Sequence, residues 1–240
     1  MEPVLAVRLR APIASFRPPR DLNYQRTLPL PPPTTVLGVA GAALGLADVE
    51  LWAAGGPGHR LKVAVLAEAP AGRARDMWTL RKIVSGRIAE RSPYLRELLV
   101  ETAFTLLYGG PRELLEQLAD AFRQPVYALS LGREDELALV DVDAIELASV
   151  AEITGPVHGT VWPGDLRRDV PRPVLEPGAR LEPLMVERLP LAFRVAGGRR
   201  HPERYATLSF VPFGTRIEPP PGLPLLGWCG RAFTWAATPP

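Results

Sequence analysis

The chain has 240 residues and a formal net charge of +2, with 47% hydrophobic and 22% charged residues. That length suits one large domain or two small ones with a sizeable core, and the balance excludes a disordered chain. A lone cysteine, Cys229, excludes an internal disulfide and any multi-cysteine metal site.

Twenty-eight prolines and 21 glycines point to many turns and short strands rather than a helical bundle. Among the 28 basic residues only Lys62 and Lys82 are lysines. Arginine's planar fork favours phosphate recognition, although a coding bias toward Ala, Gly, Pro and Arg explains the same excess equally well. The net charge is segregated: +3 over residues 1–33, −1 over 34–69, +5 over 70–96, −9 over 97–156 and +4 over 157–240. Basic stretches on an acidic scaffold fit a protein that binds a polyanion on one side. The start of the chain lacks a charged-then-apolar leader pattern. The longest apolar run, over 36–47, is too short to cross a bilayer. The expectation is a cytoplasmic chain with no membrane partner.

Residues 3–9 alternate, with Leu5, Val7 and Leu9 on one face and Arg8 opposite, which predicts a half-buried first strand. A basic, partly aromatic loop follows, carrying Ser15, Phe16, Arg17, Arg20, Asn23, Tyr24 and Arg26. Pro29 and Pro31 to Pro33 then form a stiff ramp, each proline fixing φ and lacking an N–H. The ramp leads into an apolar helix over 35–46, with Thr34 or Thr35 as its N-cap. Such a helix start offers unpaired N–H groups and a positive dipole end. Guanidinium forks suit phosphates, and Phe16 or Tyr24 could stack on a base. Small residues at Gly38, Gly41 and Gly45 let the helix lie close to a sheet. A Pro-rich surface loop feeding a core helix fits the same pattern about equally well.

A second strand is predicted over 61–66 and a third over 100–108, ending at Gly109-Gly110. The helix over 111–122 shows the clearest periodicity, with Leu114, Leu115, Leu118 and Phe122 on one face. A fourth strand follows over 137–142. Strand, helix, strand, strand, helix, strand is the ferredoxin-like arrangement of RNA-recognition domains. The fold class is therefore α+β: a ferredoxin-like domain over 1–150 with an inserted basic arm over 70–96. Trp78, Leu80 and Ile83 are the arm's expected contact residues, surrounded by Arg75, Arg81, Lys82 and Arg87. A solvated helical excursion is the plainer alternative. Residues 151–240 read as a β-rich C-terminal part, a small sheet packed on the first.

Ser15-Phe16-Arg17-Pro18-Pro19, followed by TLPLPPPTTVLGVAGAALG over 27–45, resembles the N-terminal signature of a CRISPR-associated RAMP family. That family is the type I Cascade subunit that grips the five-prime handle of the guide RNA, and the likeness is to type I-B members. A second matching segment runs from Gln124 to Arg133, where the family has a Pro-containing strand ending in Leu-Gly-Arg. The small and cysteine residues that often follow there are replaced by Glu134, Asp135 and Glu136, so Arg133 could instead hold its turn by a salt bridge. The resemblance implies the ferredoxin-like fold, a thumb-like arm, and crRNA, the backbone subunit and the large subunit as partners. Target DNA is left open as a further partner. The residues expected to bind RNA are Ser15, Phe16, Arg17, Arg20, Asn23, Tyr24, Arg26, Thr34, Thr35, Gly38, Trp78, Arg81, Lys82, Arg87 and Arg133.

Some relatives cut repeat RNA without metal, which needs a base for the 2′-hydroxyl and an acid or cation at the phosphate. Tyr24, His59 and Lys62 are the candidates for such a site; His158 and His201 are the remaining histidines. No phosphate-binding loop, zinc-spaced set or nucleophile elbow is present. The expectation is a non-catalytic subunit without cofactor or metal. A metal-independent endoribonuclease and an architectural subunit that touches only proteins are the alternatives.

Overall fold

The computed structural model of the chain describes residues 2–169, 171–175 and 181–239. Strand β1 (Glu2–Ala14) is followed by the short β2 (Tyr24–Gln25) and helix α1 (Pro33–Leu44). Two single turns, α2 (Asp48–Leu51) and α3 (Pro57–Arg60), lead into β3 (Lys62–Ala67). Strands β4 (Gly72–Val84) and β5 (Arg87–Gly109) form a long ribbon, and α4 (Arg112–Arg123) follows. Next come β6 (Leu139–Val140), β7 (Glu146–Val150), β8 (Thr160–Pro163), β9 (Arg172–Pro173) and β10 (Met185–Pro190). The chain ends with β11 (Phe193–Ala196), β12 (Arg199–Pro202), β13 (Tyr205–Val211), β14 (Ile217–Glu218), β15 (Leu226–Trp228) and β16 (Arg231–Phe233).

One sheet organises the molecule, in the order β10-β13-β8-β3-β5-β1-β6, with β7 also pairing β1. Within it, β3, β5, β1 and β7 pair antiparallel, so β1 and β5 occupy the centre. Strand alternation sends Leu5, Val7 and Leu9 to one face, where they meet Leu106 and Tyr108 of β5 and Leu115 and Phe122 of α4 in one core. Helix α1 lies in the same layer; the Tyr108 hydroxyl donates to the Val36 carbonyl at 3.0 Å. Its small residues act as expected: a Cβ on Gly41 would press on Leu51, and Gly45, the left-handed C-cap (φ 74°), abuts Val126. The opposite face carries Val4, Ala6, Ala64, Leu66 and Leu107, covered by Leu226, Phe233 and Trp235 of the β15–β16 region.

Several expectations need correction. The C-terminal part does not begin as a separate packed layer: β8 pairs β3 through Thr160 and Leu66, and β13 and β10 continue the same sheet. Residues 124–133 form no strand; they run irregularly with one bridge between Ser130 and Leu137. Pro125 lacks the N–H a ladder needs, and the Val126 and Tyr127 amides instead donate to the Ala43 and Ala42 carbonyls at the end of α1. The predicted strand over 137–142 is two residues long, and β7 does most of the pairing at that edge.

The basic segment is a ribbon rather than a helical excursion. Strands β4 and β5 pair from Gly72 with Val100 to Val84 with Arg87, closing at Ser85-Gly86 with positive φ at both residues. That is the primed turn whose twist matches the strands it joins.

Candidate nucleic-acid interface

The loop between β1 and α1 is closed on itself before it meets any ligand. The Phe16 amide donates to the Thr27 hydroxyl at 2.9 Å, and the Leu28 amide donates to the Phe16 carbonyl at 2.9 Å. Inside this staple, Asp21 accepts from the Arg26 backbone amide at 2.8 Å and from its guanidinium at 2.9 Å. Burial opposes ionisation of Asp21, but the Arg26 hydrogen bonds outweigh it and hold the carboxyl below its ordinary value.

The Ser15 end of the loop is locked to the 132–136 turn through one buried carboxylate. Glu136, 4% exposed, accepts from the Ser15 amide at 2.8 Å, the Ser15 hydroxyl at 2.6 Å and the Arg133 amide at 3.0 Å. Arg96 of β5 lies 3.8 Å from it. Gly132 completes the lock: its φ is +116°, and a side chain there would overlap the Ser15 carbonyl oxygen.

Beside this lock lies an open furrow of about 500 Å³, walled by Arg17, Pro19, Thr34, Thr35, Arg133 and Arg200 among others. A second hollow of about 390 Å³ adjoins it along α1, past Gly38 and Ser130. Thr34, Thr35, Gly132, Phe193 and Arg200 belong to both, so the two are one channel. The first turn of α1 faces it. The Thr35 and Val36 amides both donate to the Pro32 carbonyl, whereas the Thr34 amide has no acceptor among the described residues. Arg17 and Arg20 are exposed and make no ion pair among the described residues. Chemically the channel offers cationic forks, one free helix-start amide and an open helix surface at Gly38, where an added Cβ would meet nothing.

A family model described as CRISPR-associated protein (Cas_Cas5) matches residues 4–188, more than half of the chain. The chain belongs to the Cas5 family. No curated protein shows significant sequence similarity to it. Among solved structures, the Cas5 chain resembles a chain of a "CRISPR RNA-guided surveillance complex", at 21% identity and a TM-score of 0.54 over 89% of this chain and 90% of that one. It also resembles a CRISPR protein from Archaeoglobus fulgidus, at 11% identity and a TM-score of 0.54 over 96% and 98% of the two chains. Both likenesses are likenesses of fold, and both agree with a Cas5-type RAMP protein.

The Cas5 chain places its sequence-predicted residues unevenly. Arg17, Thr34, Thr35, Gly38 and Arg133 border the channel. Phe16 lies in the furrow's wall as well, but it is 3% exposed and packs edge-on against Phe104 at 6.0 Å, so it cannot stack on a base. Arg26 is pinned by Asp21 at 2.9 Å and Glu187 at 3.3 Å, so it serves the loop. Ser15 spends its hydroxyl proton on Glu136. Neither Thr34 nor Thr35 caps α1; the cap is Pro32, the helix starts at Pro33, and no side chain bonds its amides. Tyr24 is half-exposed on β2, beside β5, with its hydroxyl donating to Glu97. That hydrogen bond, with a little desolvation, raises the phenol above its ordinary value. The carbonyl of Asn23 accepts from the Leu95 amide.

Trp78 is not free on the ribbon either. The guanidinium carbons of Arg133 and Arg96 lie 4.1 and 4.8 Å from its ring centroid, joining the ribbon's base to the Gly132 turn. Arg133 also pairs with Asp135 at 3.3 Å, so it holds its turn while bordering the channel. Arg81, Lys82 and Arg87 are exposed toward the ribbon's tip, away from the channel residues.

The residues proposed for cleavage are engaged separately. Lys62 bonds Glu2 at 2.7 Å, His59 packs against Trp52, and Tyr24 holds Glu97. Phe193 and Arg200 are among the channel residues that escaped the sequence reading. The available signal was Gly197-Gly198, a two-residue hairpin turn between Ala196 and Arg199.

Proposed function

We propose that this Cas5 chain is a non-catalytic subunit of a type I CRISPR effector complex that holds the five-prime handle of crRNA in the channel beside α1. The observation that carries this reading is the meeting of the Ser15–Arg17 and Gly132–Arg133 motifs through Glu136, at the mouth of a channel edged by arginines. Preorganised donors of this kind bind a polyanion at little ordering cost. Helix-start amide and guanidinium groups would take phosphates, with splayed bases read along the channel walls.

In this reading the β4–β5 ribbon is the thumb-like arm of a ferredoxin-like domain, the sheet order β7-β1-β5-β3 supplying its four-stranded platform. Arg81 stands directly opposite Arg91 on the ribbon. Such a like-charged pair is unfavourable alone, and an anion between the two relieves it. RNA and the neighbouring backbone subunit are the arm's proposed partners; the chain would cap one end of the filament of backbone subunits, where the large subunit contacts it.

The test is Arg17→Ala with Arg20→Ala in the full chain, titrated with the RNA that co-purifies with its complex. Binding should weaken, and the salt slope should fall by about 0.7 per lost phosphate contact. Unfolding free energy should stay within about 0.5 kcal/mol of the parent, because both side chains are exposed and make no ion pair among the described residues. Unchanged affinity and slope would refute the channel as the RNA site. Specific cutting of repeat RNA by the parent protein in EDTA would favour the endoribonuclease reading instead.

A further inference from the structure

The β11–β12 hairpin lies beyond the family-matched span, which ends at residue 188, yet it forms one wall of the channel. Its register pairs Phe193 with Pro202, Val195 with Arg200 and Arg194 with His201. Directly opposed residues share a face and successive residues alternate. Phe193, Val195 and Arg200 therefore occupy one face, while Arg194, Arg199 and His201 occupy the other. The first face is the channel face, since Phe193 and Arg200 border both of its parts.

Three observations give this face a chemistry. Phe193 is the aromatic side chain of the channel wall that remains partly open to it, Phe16 being buried. Its ring is braced edge-on by Trp52 at 5.2 Å, which fixes its plane. Arg200 lies with its guanidinium carbon 5.5 Å from the Phe193 ring centroid and reaches Asp48 at 3.5 Å, but Arg200 and Asp48 are more than half exposed, so that ion pair is weak and leaves donors of the guanidinium fork for another acceptor.

Resting on the handle-binding reading above, we infer that the β11–β12 hairpin is a second jaw of the RNA channel. Arg200 takes a phosphate of the single strand, and the Phe193 ring receives a base against α1. The jaw belongs to this chain's own C-terminal part, so it adjusts grip without altering the family motifs across the channel. A stacked base is tolerant of sequence.

The experiment uses the full chain, a fluorescein-labelled oligouridylate and anisotropy titrations over a salt series, with Arg200→Ala, Phe193→Leu, Arg194→Ala and the Arg17→Ala/Arg20→Ala variant. Arg200→Ala should lower the salt slope by about 0.7, and Phe193→Leu should weaken binding about tenfold at unchanged slope. Arg194→Ala, on the outer face, should match the parent. Parent-like affinity and slope in Arg200→Ala, while the Arg17/Arg20 variant loses binding, would overturn the jaw and leave the handle-binding reading standing. Equal slope losses at Arg194 and Arg200 would also overturn it, because a diffuse field would then account for both. Loss at neither the hairpin nor Arg17/Arg20 would overturn both readings. If Phe193→Leu fails to fold, Arg200→Ala alone decides.

Discussion

The entrance to α1 and the β4–β5 ribbon carry similar excesses of positive charge, yet the chain builds them in opposite ways. At the entrance, buried Glu136, the Phe16–Thr27–Leu28 staple and the proline ramp fix the backbone before any ligand arrives. The ribbon is bare: from Leu80 to Arg91 every described residue is exposed, and only its base is tied down, through Trp78. Charge alone does not distinguish the two regions. What separates them is where the carboxylates went, inward under the entrance and almost nowhere along the ribbon. A pre-set site suits a constant ligand, and an exposed ribbon suits a surface that forms only on assembly.

The largest test of that contrast is Gly132→Ala. Its left-handed φ and the overlap with Ser15 should cost about 4 kcal/mol in urea unfolding and loosen the entrance. A polar residue at the exposed Ile83 in the ribbon should leave the body's stability nearly unchanged. A destabilisation at Gly132 no larger than at Ile83 would erase the distinction.

Phe16 supplies the next largest effect. Phe16→Ala should cost about 3 kcal/mol as a core truncation against Phe104, and Phe16→Leu less than about 1.5 kcal/mol, with RNA affinity retained in the latter. A stacking role would give the reverse, a stable Phe16→Leu protein that binds RNA poorly.

The smallest expected effect is a pH dependence. The folded Asp21 carboxyl lies below its ordinary 3.8, so its clasp on Arg26 contributes fully above that value and fades as pH falls through the lower, folded one. With the guanidinium half-exposed, Asp21→Asn should cost about 1 kcal/mol at pH 7. That difference should shrink in acid below about pH 4. A difference that stays constant down to pH 2 would mean the clasp is not ionic.

Sequence pattern exposed the skeleton and blurred the site for a physical reason. Strand β1 and helix α4 were legible because each repeats its apolar residues at a period that one backbone satisfies, and α1, β3 and β5 because each is an apolar run bounded by Pro or Gly signals. Phe16 was misread because one aromatic in a loop has no periodic neighbours to mark it as core. Arg26 and Arg17 look alike in one dimension; only the fold brings Glu187 to the former. Glu136 stood out as a departure from relatives, and its burial turns that departure into the link between two motifs. Phe193 and Arg200 reach α1 from far along the chain, a closeness no local spacing encodes.

Strand β5 runs unbroken for 23 residues, from the sheet's centre to the ribbon's end. Pleating therefore quantises this appendage. Removing one opposed couple, such as Thr79 with Pro93, would rotate everything distal by half a turn and hand Leu80 and Lys82 to the other side. Removing two such couples would shorten the reach by about 7 Å and keep every distal side chain aimed as before. Without a bulge, such as the register shift already present between Lys82 and Ile83, length here changes only in even steps.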